Sequence, residues 1–212
     1  LPPACVPDAS GTMFSGSAAV DSANSRGVRT GKEMPLVAAY TEQGNKTETQ
    51  CLVDSNDRGR SWTKYSGNPV INSGSNWDHS PKTRDPKIFW YAPAGTWIMV
   101  LYEKDGNSIY NSGNLKDWVY KSHITGFFEC PELFRLPVDN DAHNEKWVMY
   151  DGSGAYLIGD FDGRVFKPAY GKRTYFSGKM YAAQTFNNIP ASDGRRIQIG
   201  WGKIIHPGMP FN

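Results

Sequence analysis

Ser55-Asn56-Asp57-Arg58-Gly59-Arg60-Ser61-Trp62 decides the fold of this chain. The pattern S-x-D-x-G-x-S-W lies beside runs of strand-forming residues. Its Asp and Ser can satisfy the amides of a tight turn while the Trp packs beneath the hairpin. Ser112-Gly113-Asn114-Leu115-Lys116-Asp117-Trp118 repeats the device in degenerate form, and Asp160-Phe161-Asp162-Gly163-Arg164-Val165-Phe166 is a third turn with a closing aromatic. The closing residues Trp62, Trp118 and Phe166 lie roughly fifty residues apart, a spacing that suits four-stranded propeller blades.

Working outward, strand signals dominate. Gly16 to Val20, Pro35 to Thr41, Thr49 to Asp54, Thr96 to Tyr102, Lys146 to Tyr150, Tyr156 to Gly159, Tyr181 to Phe186 and Arg195 to Trp201 are short and apolar or aromatic, bounded by turn formers. No segment carries a helical stripe over three turns. The reading is all-β. A β-sandwich with similar hairpins is the alternative, but each repeat also opens on a special residue set. These are Phe14-Ser15-Gly16, Arg84-Asp85-Pro86, Glu129-Cys130-Pro131 and Tyr181-Ala182-Ala183-Gln184. Because the innermost strand of every blade lines the central channel, a propeller brings all four starts to one pocket. No low-complexity linker divides the chain, so residues 1–212 read as one domain.

Composition excludes several classes of function. The 212 residues carry a net charge of +2 with no basic run, which argues against a nucleic-acid partner. No apolar stretch approaches membrane-spanning length. Cys5, Cys51 and Cys130 are an odd number without C-x-x-C spacing, and the four histidines are scattered. Neither a disulfide framework nor a metal site is expected, and no cofactor is called for. Aromatic residues make up 13% of the chain, which suits stacking on sugar rings.

Asp85 and Glu129 each precede a strand-like segment, Lys87 to Tyr91 and Glu132 to Leu136. Two carboxylates facing each other across a pocket are the minimum equipment for splitting a glycosidic bond. Bland readings compete: Arg-Asp-Pro as a capped turn, which explains the Pro well and the Arg poorly, and Glu129 as an exposed strand-start residue. Trp62, Trp97, Trp118 and Trp147 read as hairpin core. Gly152-Ser153-Gly154 lacks the strand-turn-helix context of a nucleophile elbow. Lys, Arg, Asp and Glu outside the repeat starts read as solvated charge.

The chain resembles glycoside hydrolase family 32, the β-fructosidases of invertase, levanase and inulinase type. The matching pieces run in order from Leu1-Pro2-Pro3-Ala4 and Phe14 to Ala18, through the Ser55 to Trp62 turn, Gly67-Asn68-Pro69-Val70-Ile71, Arg84-Asp85-Pro86-Lys87 and Glu129 to Phe134. They continue with Gly159 to Gly163, Tyr181 to Phe186, Gly194 to Trp201 and Met209-Pro210-Phe211. The resemblance implies a five-bladed propeller, here incomplete, with about four blades (II to V) and the first missing. It implies hydrolysis of β-fructosidic bonds in fructans or sucrose, with Glu129 as general acid/base, Asp85 as transition-state stabiliser and Arg84 orienting the carboxylates. Phe14, Ser15, Trp201, Tyr181 and Gln184 would line the sugar site.

Two departures stand out. The family's nucleophile is an Asp in a W-x-N-D-P-N-G motif upstream of the Leu-Pro-Pro segment, and no N-D-P occurs here. Many members carry an Asp where Lys179 stands. The isolated chain is therefore expected to turn over little or no substrate, and a sugar-binding propeller without catalysis is the alternative function. A swapped strand or partner subunit at an open propeller edge is a further expectation. The family implies a secreted or periplasmic location.

Overall fold

The computed structural model describes residues 5–44, 46–72, 77, 79–175, 180–190 and 192–202. Four antiparallel sheets form among them, each from strands consecutive in the chain. The first is β1 (Thr12–Val20), β2 (Leu36–Gly44), β3 (Thr47–Ser55) and β4 (Thr63–Lys64). The second is β5 (Thr83–Tyr91), β6 (Thr96–Glu103), β7 (Gly106–Ser112) and β8 (Val119–Thr125). The third is β9 (Glu132–Val138), β10 (Asp141–Tyr150), β11 (Ala155–Phe161) and β12 (Phe166–Pro168), with β13 (Arg173–Thr174) also paired to β11. The fourth is the pair β14 (Met180–Thr185) and β15 (Gln198–Gly202). This up-and-down order within every sheet is that of propeller blades; a sandwich would join its sheets by Greek-key crossovers.

Strand β6 shows why the sheets stack. Trp97, Met99 and Leu101 enter a core shared with Val37, Ala39 and Leu52 of the first blade. Ile98 and Val100, between them in sequence, enter a core shared with Leu133, Met149 and Phe161 of the third. A period of two on a strand buried on both faces yields an uninterrupted apolar run. The second blade is thus the filling between the first and the third.

The three turns read from the sequence share one mechanism. Asp57 Oδ1 accepts the amides of Arg60 and Ser61, both at 2.9 Å. Asn114 Oδ1 accepts those of Lys116 and Asp117, both at 2.9 Å, and Asp162 Oδ1 those of Arg164 and Val165, both at 2.8 Å. Trp62 and Trp118 each donate the indole N–H to the carbonyl three residues earlier, Gly59 and Leu115. Both rings are half-buried, because one edge closes the turn while the other stays at the rim; of the four tryptophans read as core, Trp97 is fully enclosed.

The first strands β1, β5, β9 and β14 converge. Ser17 Oγ on β1 donates to Pro86 O at 2.9 Å, and Gln184 Nε2 on β14 donates to Gly16 O at 3.2 Å. Asn187 Nδ2 donates to both Ala18 O and Ile88 O. The reading of Lys, Asp and Glu outside the repeat starts as solvated charge fails here. Glu48, Lys87, Glu103 and Glu132 are all buried. Glu48 pairs with Arg84 and Lys87 with Glu132 across blades, whereas Glu103 accepts from Tyr110 and Thr83 within its own blade.

Candidate active site

At one end the inner strands depart from regular pairing. Register slips occur between Met13 and Gly16 on β1, between Arg84 and Lys87 on β5, and between Tyr181 and Gln184 on β14. The residues inside these slips are Phe14-Ser15, Asp85-Pro86 and Ala182-Ala183. Asp85 (φ 62°), Cys130 (φ 55°) and Ala182 (φ 50°) take the left-handed conformation that side chains disfavour. Bulges bend a strand and re-aim its side chains, and they gather beside active sites. Here they turn the starts of three strands toward one space. Phe14, Ser15, Arg84, Asp85, Glu129, Cys130, Tyr181 and Ala182 line a pocket of about 270 Å³.

Asp85 and Glu129 are the carboxylates of that pocket among the described residues. Asp85 is 4% exposed. Its Oδ2 accepts the Cys130 amide at 3.0 Å and the Cys130 thiol at 3.5 Å, and its own amide donates to Thr41 Oγ1 at 2.9 Å. Burial pushes its carboxyl above the usual aspartate range, the Cys130 amide opposes this, and the nearby Glu129 charge adds to the rise.

Glu129 is gripped from both sides. Arg84 Nε donates to Oε2 at 2.8 Å, and the Tyr181 hydroxyl donates to Oε1. The other side of the guanidinium reaches Glu48 Oε2 at 3.1 Å, and the Tyr102 ring packs 5.0 Å from its centre. Arg84 thus bridges two carboxylates. Burial alone would weaken its charge, but the bonds to Glu129 and Glu48 outweigh it and raise the guanidinium pKa. Burial and the hydrogen bond to Glu129 keep the Tyr181 hydroxyl protonated far above neutral pH. Behind Asp85, Thr41 Oγ1 donates to Gln50 Oε1 at 2.8 Å, and Gln50 Nε2 donates to Thr83 O at 2.6 Å. This buried relay fixes the backbone on which Arg84 and Asp85 sit.

Of the residues named from sequence, Phe14, Ser15, Arg84, Asp85, Glu129 and Tyr181 line the one pocket. Gln184 lines a neighbouring cavity and spends its amide on Gly16 O. Trp201 stands opposite Tyr181 in the β14–β15 register but is 71% exposed and does not line the pocket. Lys179 lies outside the described residues, as do Leu1 to Ala4 and Met209 to Phe211. Sequence reasoning missed Glu48, Tyr102 and Thr41. None stands in a distinctive motif, and their roles arise from contacts between blades.

Two other arrangements lack this chemistry. Ser108 Oγ lies 2.9 Å from His123 Nδ1, and His123 Nε2 lies 3.0 Å from Asp105 Oδ1, but Ser108 is fully buried and meets no substrate. A larger cavity of about 560 Å³ at the far ends of the inner strands has Glu145 as its carboxylate, and that is paired with Arg135 at 2.9 Å.

Paired carboxylates across one pocket, here at the bulged ends of a propeller's inner strands, are a feature of glycoside hydrolase sites. Residues 1–207 match the model of the glycosyl hydrolases family 32 N-terminal domain, and the chain belongs to that family. The levanase of Bacillus subtilis is 45% identical over 222 residues, covering 95% of this chain and 32% of the levanase. An invertase of Wickerhamomyces anomalus is 39% identical over 215 residues, covering 89% of this chain and 38% of the invertase. The chain thus spans about a third of the length of these relatives. Among solved structures, a fructofuranosidase from Schwanniomyces occidentalis complexed with fructosylnystose superposes with a TM-score of 0.82. It shares 32% identity over 93% of this chain and 41% of its own. An exo-inulinase from Aspergillus awamori gives a TM-score of 0.81 at 29% identity, over 92% of this chain and 46% of its own.

Proposed function

We propose that this protein hydrolyses β-fructosidic bonds in sucrose or fructans by a retaining mechanism. The observation that carries the reading is the shared pocket of Asp85 and Glu129, with Glu129 held by Arg84 and Tyr181. Names among the relatives (levanase, invertase, extracellular exo-inulinase) support the fructosyl substrate and secretion.

In the first step a carboxylate attacks the anomeric carbon as the bond to the leaving oxygen breaks. Glu129 delivers a proton to that oxygen, so the leaving sugar departs neutral. In the second step Glu129, now ionised, takes a proton from water, which displaces the enzyme carboxylate. Asp85 accepts hydrogen bonds from ring hydroxyls, and these strengthen as the ring flattens and gains positive charge. Phe14, Ser15, Tyr181, Gln184 and Trp201 make up the rest of the proposed sugar site. The attacking carboxylate is assigned to neither Asp85 nor Glu129, and no third carboxylate lines the pocket among the described residues. The family resemblance puts it in the W-x-N-D-P-N-G motif, upstream of Leu1.

The test is hydrolysis of sucrose, inulin and levan by the 212-residue chain and by a form extended upstream through that motif. The extended form should be active and the short one nearly inactive. Glu129→Gln in the extended form should lower kcat by about 10²–10⁴-fold, the usual range for a general acid, with sugar binding kept. Robust turnover by the short chain would overturn the assignment of the nucleophile. Sugar binding without turnover in both forms would favour the non-catalytic propeller.

A further inference from the structure

Lys87, Glu132 and Thr185 come from three inner strands and meet where all three are buried. Lys87 on β5 is 2% exposed, Glu132 on β9 is 0% exposed, and Thr185 on β14 is 6% exposed. Lys87 Nζ lies 2.9 Å from Glu132 Oε1 and donates to Thr185 O at 2.7 Å. Thr185 Oγ1 donates to Glu132 Oε2 at 2.5 Å and accepts from Arg196 at 3.2 Å. Each member follows a pocket residue along its own segment. Lys87 is two positions after Asp85, Glu132 three after Glu129, and Thr185 four after Tyr181. The network therefore joins, one layer beneath the pocket, the three segments whose side chains must be held in register within it.

Stability alone does not explain an ion pair there. Withdrawing two charges from water commonly costs more than their attraction returns, and apolar residues of equal volume often fold as well or better. Burial indeed pulls the Lys87 pKa down from the ordinary lysine value, with Glu132 opposing it. Neither side chain lines the pocket of Asp85 and Glu129. What the network supplies is direction. Apolar contacts between strands permit sliding, whereas an ion pair braced by directional hydrogen bonds fixes one relative placement.

We propose that Lys87, Glu132 and Thr185 are positioning residues that set the mutual placement of Asp85, Glu129 and Tyr181; as a statement about catalysis, this rests on the function proposed above. None of the three lines the pocket that holds Asp85 and Glu129. Their effect passes through strand register, and a misplacement near 1 Å at a reacting group can lower a rate by roughly 10²-fold.

The experiment is a double-mutant cycle in the upstream-extended form. Lys87→Met leaves Glu132 buried and unpaired, so Tm and kcat both fall. Adding Glu132→Leu removes the stranded charge. In Lys87→Met/Glu132→Leu, Tm should return to the wild-type value or above while kcat on sucrose stays roughly 10–100-fold low, with KM little changed. Recovery of kcat together with Tm would overturn the proposal and leave the pair as scaffold. Should the double variant fail to fold, Glu132→Gln keeps shape and hydrogen bonding while weakening the pair. It should lose part of kcat at near wild-type Tm, and full kcat there would overturn the proposal. The functional reading is tested separately by wild-type turnover. If wild type hydrolyses no fructoside, that reading fails, and the side-chain carboxyl ¹³C resonances of Asp85 and Glu129 decide positioning. Displacement in the folded variant supports it; coincidence with wild type overturns it.

Discussion

Asp57 and Asp85 are the same residue type in two opposite settings. Asp57 sits in an exposed hairpin turn, where Ser61, Ser55 and the turn amides saturate its carboxylate with donors. Those bonds, led by the Ser61 hydroxyl, hold its pKa down to about 2. Asp85 sits on a bulged inner strand, buried, with the Cys130 amide and thiol as its donors. Burial drives its pKa the other way. The turn commits both carboxylate oxygens to local donors. The pocket leaves its carboxylate underbonded, and so available to a ligand.

The strongest way to break the contrast is Asp85→Asn. Loss of one preorganised electrostatic group should lower kcat by about 10²–10³-fold, while folding improves at neutral pH. The direction follows from linkage: the folded protein holds the Asp85 proton more tightly than the unfolded chain does. Ionisation therefore subtracts stability as pH rises from the ordinary aspartate range through the raised folded value. Tm measured against pH should show a variant that gains over wild type across that rise and loses the advantage in acid. A variant destabilised at pH 7 would mean that the ionised carboxylate is a structural group like Asp57.

Trp118→Ala probes the other side. The ring is half-buried and bonded to its own turn, so the expected loss is roughly 1–3 kcal/mol of stability, with unchanged KM and kcat in the folded enzyme. Denaturant unfolding and kinetics on one preparation check this. A change in KM at full folding would place the turn within the site's reach.

Asp57→Asn should have the smallest effect, a Tm lower by roughly 1–3 °C at pH 7 and no change in activity. Because the folded pKa is depressed, the Asp57 contribution is complete above the ordinary carboxylate range and disappears as pH falls toward about 2. Wild-type and variant Tm should therefore converge in strong acid. A constant gap would assign the loss to the turn backbone instead of the charge.

The contrast also marks what was legible in the sequence. Turn chemistry is local, so Asp57, Asn114 and Asp162 announce their hairpins within eight residues, and the blades follow from their spacing. Asp85 and Glu129 were visible because each stands at the opening of a repeat. Glu48 and Lys87 were not visible. A charged residue on a strand reads as solvated until a neighbouring blade covers it, and the partners Arg84 and Glu132 lie 36 and 45 residues further along. The half-burial of Trp62 and Trp118 was hidden for a related reason: a turn motif shows that the ring closes the hairpin, not how much of it a neighbour covers.

Each contributor to the pocket is mounted on a different hairpin ladder: Phe14 and Ser15 on the first blade, Arg84 and Asp85 on the second, Glu129 at the entrance to the third, Tyr181 on the fourth. A mutation that adjusts one contact strains mainly its own ladder, so selection can alter one side of the pocket without reassembling the rest. Such a scaffold lends itself to divergence by small independent steps. Relatives named levanase, invertase and exo-inulinase at 34–45% identity fit that history.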